Sequence, residues 1–521
     1  MIVDLNSSKA RDFNCDICVV GSGAVGLALG WQLLSSGKSV LLLESGGYEH
    51  ELREQELYRS SITGLSFYGA QIGRFRVIGG STTRWGGQIL PLEPLDFQKR
   101  DWVEASGWPI AYSDLSPYFA LASSFLGSDQ LNFDTDLLSR FDIAANPFDQ
   151  NDLNYFFSKW SPHPDLRTVY LPLMQEAENL TLLYHANLTR IGLSETHESV
   201  SFLELKNQEL QSFSVQAEIV ILCLGGIENT RVLLANDSQK KHGIGNESGL
   251  LGKYLQDHPF LKVGTVNARD PKTMEKYFHA RRDESGRGYT PRISITAAKQ
   301  KELAVLNASA YLEPEYPLKL LTKCQLANLL RRVKEGGGSA RQISEHFQSL
   351  LGAEMQLLFG KMRVPRSQQY TLCMMTEQEP SLNSFISLSD KRDRYGIPLT
   401  KIHWDTTEKT WSTVLKFSEL IQKQFLKAGF SEIQFFDYLK TSYQNARYLF
   451  QDFYHHMGTT RMSASAETGI VDQDSKVFGL SNLYVISSSV FPTGGHSNPT
   501  FTTIALALRL LDKLELLKQE S

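Results

Sequence analysis

Cysteine is scarce. Cys15, Cys18, Cys223, Cys324 and Cys373 are spread through 521 residues, an odd and scattered set that excludes the disulfide framework of a small secreted domain. Cys15 and Cys18 have CxxC spacing, but they fall on a strand-like run ending at Val20, where residues three apart face opposite ways, so the pair is read as structural. Long apolar runs are missing too. No stretch reaches the roughly 18 residues that span a bilayer, and Met1 to Asn14 has neither the apolar core nor the paired arginines of an export signal. Neither sign of charge dominates. Lys plus Arg number 53 and Asp plus Glu 57, a net charge of −4, so no field recruits nucleic acid or an anionic membrane. With 41% hydrophobic and 11% aromatic residues, the expectation is a cytoplasmic enzyme of about two to four domains.

What is present begins with Asp16 to Val20, then Gly21-Ser-Gly23-Ala24-Val-Gly26, a helical pattern through Leu34, and the apolar run Val40 to Leu43 closed by Glu44 and Ser45. This is a strand, glycine turn, helix and strand. Gly21 permits the tight turn, Gly23 lets a pyrophosphate approach the helix amino terminus, and Gly26 lets helix and strand pack closely. Glu44 ends the second strand, where a carboxylate accepts hydrogen bonds from an adenosine ribose. The unit predicts dinucleotide binding without separating FAD from NAD.

Two further blocks favour a flavin. Gly79-Gly80-Ser81-Thr82-Thr83-Arg84-Trp85-Gly86-Gly87 brackets hydroxyl residues and one indole with glycine pairs, a composition suited to backbone lying flat against a broad planar ligand. Near the carboxyl end, Gly494 to Asn498 precedes Pro499-Thr500 and a helical pattern through Leu516. Proline and hydroxyl residues there suit a helix amino terminus, whose partial positive charge stabilises the negative charge a flavin gains on reduction. A nicotinamide loses charge on reduction and gains nothing from it.

These residues resemble the glucose-methanol-choline (GMC) oxidoreductase family of flavoenzymes that oxidise alcohols. The resemblance also rests on Gly107 to Leu115, Cys223 to Arg231, Gly252 to Pro259 and the block Tyr454-His455-His456-Met457-Gly458-Thr459. It implies an α/β fold in which a Rossmann-like FAD-binding domain is interleaved with an α+β substrate domain built on an antiparallel sheet. The FAD contacts it implies are Gly21, Gly23, Ala24, Gly26, Glu44, Ser45, Gly80, Ser81, Thr82, Arg84, Trp85, Gly86, Gly87, Gly225, Ser488, Asn498, Pro499 and Thr500, with no metal. Its catalytic pair falls on His455 and Asn498, because Gly458-Thr459 sets the register on His455 rather than His456. The Asn is similar to the pyranose oxidase and sugar-oxidising branch, which implies a sugar, glycoside or sugar-containing natural product as substrate. Oxidation of an aliphatic, aromatic or sterol alcohol is an alternative, as is lyase or cyclase chemistry, against which the intact His455 and Asn498 weigh. His496 is read as a turn residue, with a substrate or flavin contact as the other option.

The sequence departs from the family in two places. Arg84 stands where several relatives tether the flavin through a His, so FAD is expected to be non-covalent. Ser487 stands where many carry an acid, with Ser488 and Ser489 beside it. The expected FAD-binding segments are 1–100, 190–265 and 450–521, and the substrate segments are 101–189 and 266–449. Within the latter, Tyr370 to Met375, Asn383 to Leu388 and Leu399 to Trp404 alternate like antiparallel strands roofing the flavin. A basic helical hairpin is expected at about 317–365, read as a surface element, with a lid, a partner surface or an interfacial membrane anchor as the alternatives. No CxxCH motif is present, so the electron acceptor is a separate molecule, whether oxygen, a quinone or a protein.

Overall fold

The computed structural model describes residues 1–315 and 367–517. The hairpin expected at about 317–365 lies outside the described residues.

Among the described residues there are three sheets, the first of eight strands. Its centre is parallel: Ile2–Asp4, Leu180–Tyr184, Val40–Leu43, Asp12–Val20 and Ser212–Leu222 lie side by side in that order, and Leu483–Val485 also runs parallel to Ser212–Leu222. Val200–Lys206 and Asn187–Leu193 continue it antiparallel. The fully buried run Val40–Leu43 is what a parallel strand covered on both faces requires. The turn after Asp12–Val20 feeds the helix Ala24–Leu33, and Ile17 to Val20 then pair in register with Val40 to Leu43. The strand–helix–strand unit expected from the glycine pattern is therefore present. Gly26 has no room for a side chain: an added Cβ would lie 1.8 Å from the carbonyl oxygen of Gly21. Cys15 and Cys18 are unbridged, and Cys18 is buried in the first hydrophobic core. Leu180–Tyr184 is inserted into this sheet because its apolar residues join that core.

The second sheet, also of eight strands, is antiparallel throughout. Ile433–Phe435, Phe260–Asn267, Gln369–Thr376, Ala308–Pro314, Gly288–Ile295, Leu153–Trp160 and Gln88–Ile89 follow one another, with Arg281–Arg282 beside Gly288–Ile295. Alternate residues such as Tyr155, Phe157, Ile293, Leu312 and Met374 enter a second core, which the helix Glu408–Lys427 closes with Trp411, Phe417 and Phe425. Of the three runs expected to form one roof, only the first belongs to this sheet. Phe385–Arg392 and Pro398–Trp404 instead form a hairpin that takes Ser60–Gly64 as a parallel third strand. Periodicity identified the strands but carries no information on which strand each one pairs with.

Arg100 and Glu377 tie the segment after the glycine block to the antiparallel sheet. Both side chains are fully buried, and the guanidinium donates two bonds to the carboxylate, at 2.8 and 2.5 Å. The backbone amide of Asn307 donates a further bond to Glu377 at 3.0 Å. Beside them, burial pushes the Asp96 carboxyl up to about 7.

Candidate active site

A cleft opens at the carboxyl ends of the parallel strands, where open α/β sheets bind ligands. Gly21, Gly23, Ala24, Glu44, Ser45, Gly80, Ser81, Thr82, Trp85, Gly225, Ser488, Pro499 and Thr500, all anticipated, line it. Gly26, Arg84, Gly86, Gly87 and Asn498 do not. Gly26 packs against the turn and Gly86 against the Trp160 ring, Gly87 faces Pro164 and Ser161, and exposed Arg84 lies over the Phe75 ring at 5.3 Å.

Three helices point their amino termini into this cleft: Ala24–Leu33, Gly225–Ala235 and Pro499–Lys513, none with a side-chain cap bond. Their first backbone amides, counted from Thr500 in the helix that opens on Pro499, are left for a ligand, and together they form a field suited to an anion. Gly23 and Gly225 have nothing within 4 Å of where a side chain would stand, so the space before these amides is open. Glu44 is held at the cleft floor by the amide and hydroxyl of Ser22, at 3.1 and 2.7 Å, and the amide of Gly46 at 2.8 Å. This donor set fits the pyrophosphate and ribose of FAD.

Sequence reasoning missed a charged wall of the same cleft. Arg76 donates to Ser45 Oγ at 2.8 Å and to Glu228 at 2.6 Å, and Arg74 and Arg231 also bond Glu228. Three guanidinium groups around one buried carboxyl bring its pKa down to about 2 against the opposing effect of burial. Glu228 and Arg231 lay within a recognised block, but their partners are far away in sequence.

Beside the cleft, Asn498 Nδ2 lies 3.2 Å from His455 Nε2. Asn498 occupies the cap position of the last helix without capping it, which frees its amide for the histidine. His455 is half-buried, and its Nδ1 is 2.8 Å from Nδ1 of His258. The partners of His258 assign the protons. Its Nε2 faces the carbonyl oxygens of Gly495 and Gly494, at 3.0 and 3.3 Å, so Nε2 carries hydrogen and Nδ1 accepts. His455 must then donate from Nδ1, which leaves the lone pair on Nε2 directed at Asn498. Burial brings the pKa of His258 down to about 4, and burial together with the charges of His258, His456 and Arg292 holds that of His455 well below the ordinary imidazole value.

Asp257 sets this geometry. Its fully buried Oδ1 accepts the backbone amides of His258, Phe453 and His455, at 2.6, 2.9 and 3.2 Å. One carboxylate thereby clamps two segments nearly two hundred residues apart. Tyr454 takes a left-handed φ of +63°, a strained conformation for a bulky residue. The next two side chains diverge. His455 meets Asn498, whereas His456 packs on the Phe67 ring at 5.3 Å with its pKa brought down to about 3 by burial. Asp257, Asp452 and His456 come within 4.8 Å of one another. The Asp452 oxygens, however, accept the amides of Tyr68 and Gly69, so both carboxylates hold backbone. His496 is buried with Nε2 3.2 Å from Glu93.

Residues 380–507 match the family model described as GMC oxidoreductase. A 2-methyl-1,2-propanediol dehydrogenase of Mycolicibacterium austroafricanum is 23% identical over 95% of this chain and 94% of its own length. A paromamine 6'-oxidase of Streptomyces fradiae is 21% identical, covering 95% and 90%, and a fructose dehydrogenase large subunit of Gluconobacter japonicus is 20% identical, covering 96% and 98%. The crystal structure of a pyridoxine 4-oxidase from Mesorbium loti superposes with a TM-score of 0.61 over 97% of this chain and all of that one, at 17% identity, and so shares the fold. Among the described residues no helix is long and apolar enough to cross a membrane.

Proposed function

We propose that the chain is an oxidoreductase of the GMC family, as its similarities indicate, and that it oxidises a CH–OH group of a sugar, glycoside or sugar-containing natural product to a carbonyl. The observation that carries the reading is the pairing of His455 Nε2, its lone pair fixed by His258, with Asn498 Nδ2 at 3.2 Å. FAD, a cofactor of this family, supplies the hydride acceptor when bound in the adjoining cleft. Its holders would be the amides of the three uncapped helices, Glu44, Ser45, and the Gly80 to Trp85 segment.

His455 Nε2 accepts the hydroxyl proton of the substrate. Asn498 donates to the same oxygen and, carrying no titratable proton, does not compete as a base. His258 is a positioning residue that keeps the His455 proton on Nδ1. Because burial disfavours the charged form of His455, it stays neutral, and competent to accept a proton, below its usual range. Flavin reduction is therefore expected to be flat from pH ~8 down to ~6.5, with its acid limb below the ordinary histidine value of about 6.5. An acid limb centred at or above that value contradicts the assignment.

Arg84 has no means of forming the bond through which a histidine tethers a flavin, and FAD is accordingly held without one. Acid precipitation should release the yellow colour to the supernatant; colour retained by the pellet contradicts this. The reading as a whole is tested by adding sugars, glycosides and simple alcohols anaerobically to the FAD-loaded protein. At least one class should bleach the flavin band and yield a carbonyl, and a protein bleached by none is not the enzyme proposed.

A further inference from the structure

The face of the antiparallel sheet turned away from the second core is buried yet polar. One row crosses its strands from Phe156 through Arg292, Tyr311 and Cys373 to Lys262. Both loops of the catalytic pair touch this row. Phe156 meets the ring of His496, in the turn that carries Asn498, at 5.7 Å. Phe453 meets the His455 ring at 5.5 Å and the ring of Phe260, which clusters with Tyr311 and Cys373, at 5.2 Å. The row therefore borders the space in front of His455 and Asn498.

The two cations of the row differ. Lys262 Nζ is 3.2 Å from Glu313, which also accepts a bond from Cys373 Sγ at 3.6 Å. Arg292 is only 4% exposed, and its Nε has no hydrogen-bond partner. Among the described residues no carboxylate pairs with it, and its guanidinium lies over the Tyr311 ring at 4.6 Å. An arginine keeps its charge in a protein, and a buried charge without a counter-ion is costly. Among the described residues this one stands unpaired beside the candidate catalytic pair.

Resting on the reading of the site as an alcohol oxidoreductase, we propose that Arg292 receives a carboxylate of the substrate, so that the alcohol oxidised is a hydroxy acid of the sugar-acid type. A carboxylate matches the planar fork of a guanidinium in shape and carries the single charge it lacks. A phosphate dianion would need a second cation, and Lys262 is already taken by Glu313. An amine at this position would be repelled.

The test compares the FAD-loaded wild type with Arg292→Gln by thermal unfolding and by anaerobic titration of the flavin spectrum. The probes are acetate, D-glucuronate and D-glucose, with sodium chloride matching ionic strength. Acetate and glucuronate should raise the wild-type unfolding midpoint and glucose should not. In Arg292→Gln, glucuronate should bind about 10- to 100-fold more weakly, the loss of a hydrogen bond between charged groups. Without ligand the variant should unfold at no lower a temperature, because the charge removed has no carboxylate partner among the described residues. No wild-type response to either carboxylate, an equal response in both proteins, or a less stable free variant overturns the proposal and leaves the alcohol chemistry standing. A wild type that binds carboxylates through Arg292 while no alcohol bleaches its flavin keeps Arg292 and overturns the alcohol reading.

Discussion

Replacing His455 by alanine is expected to slow anaerobic reduction of the bound flavin by about 10²- to 10⁴-fold, the usual contribution of a positioned general base. Flavin should remain bound, because His455 lies outside the cofactor cleft lining. The loss should fall on the reduction step itself rather than on substrate affinity alone, since the proton is taken only as the bond to hydrogen breaks. The neighbouring His258→Phe provides the control for mechanism. It preserves ring volume but removes the acceptor at 2.8 Å from His455 Nδ1, so the His455 proton is no longer confined to that nitrogen and reduction should also slow. An unchanged reduction rate in His455→Ala contradicts the assignment of the base.

Glu377→Ala is expected to destabilise the protein by about 3–5 kcal/mol, because it strands the Arg100 guanidinium in the interior. Both side chains of the pair are completely buried, and Glu377 also receives the Asn307 amide, so the loss includes an unsatisfied donor. Denaturant unfolding should show the single variant far below the wild type. The double variant Arg100→Met/Glu377→Leu should recover most of the difference, since removing both charges removes the desolvation penalty as well. A single variant as stable as the wild type would show that the pair does not pin the glycine-block segment to the sheet.

Local patterns in the sequence carried the parts of the fold that depend on neighbours along the chain. The glycine turn after Val20 and the buried run Val40–Leu43 each have a backbone reason to sit where they do. His455 and Asn498 were found through the blocks around them. Their partners were hidden for a different reason. His258 lies inside a recognised block, yet its role follows from a contact across 197 residues that no periodicity encodes. Arg292 shows the limit most clearly. Thr290, Arg292 and Ser294 alternate with Tyr289, Ile293 and Ile295 along Gly288–Ile295, a pattern that reads as one apolar and one solvent-facing side. In the folded chain the polar side is buried, and alternation says nothing about what covers it. The antiparallel pairing of Phe385–Arg392 with Pro398–Trp404 across its charged turn was legible in the pattern, whereas its separation from the large sheet and its pairing with Ser60–Gly64 were matters of tertiary contact.

The most direct test of alcohol oxidation at His455 and Asn498 is the rate of anaerobic flavin bleaching by a substrate deuterated at its carbinol carbon. Slower bleaching than with the protium compound, accompanied by a carbonyl product, is the predicted result. Bleaching at the same rate with no carbonyl formed would contradict it.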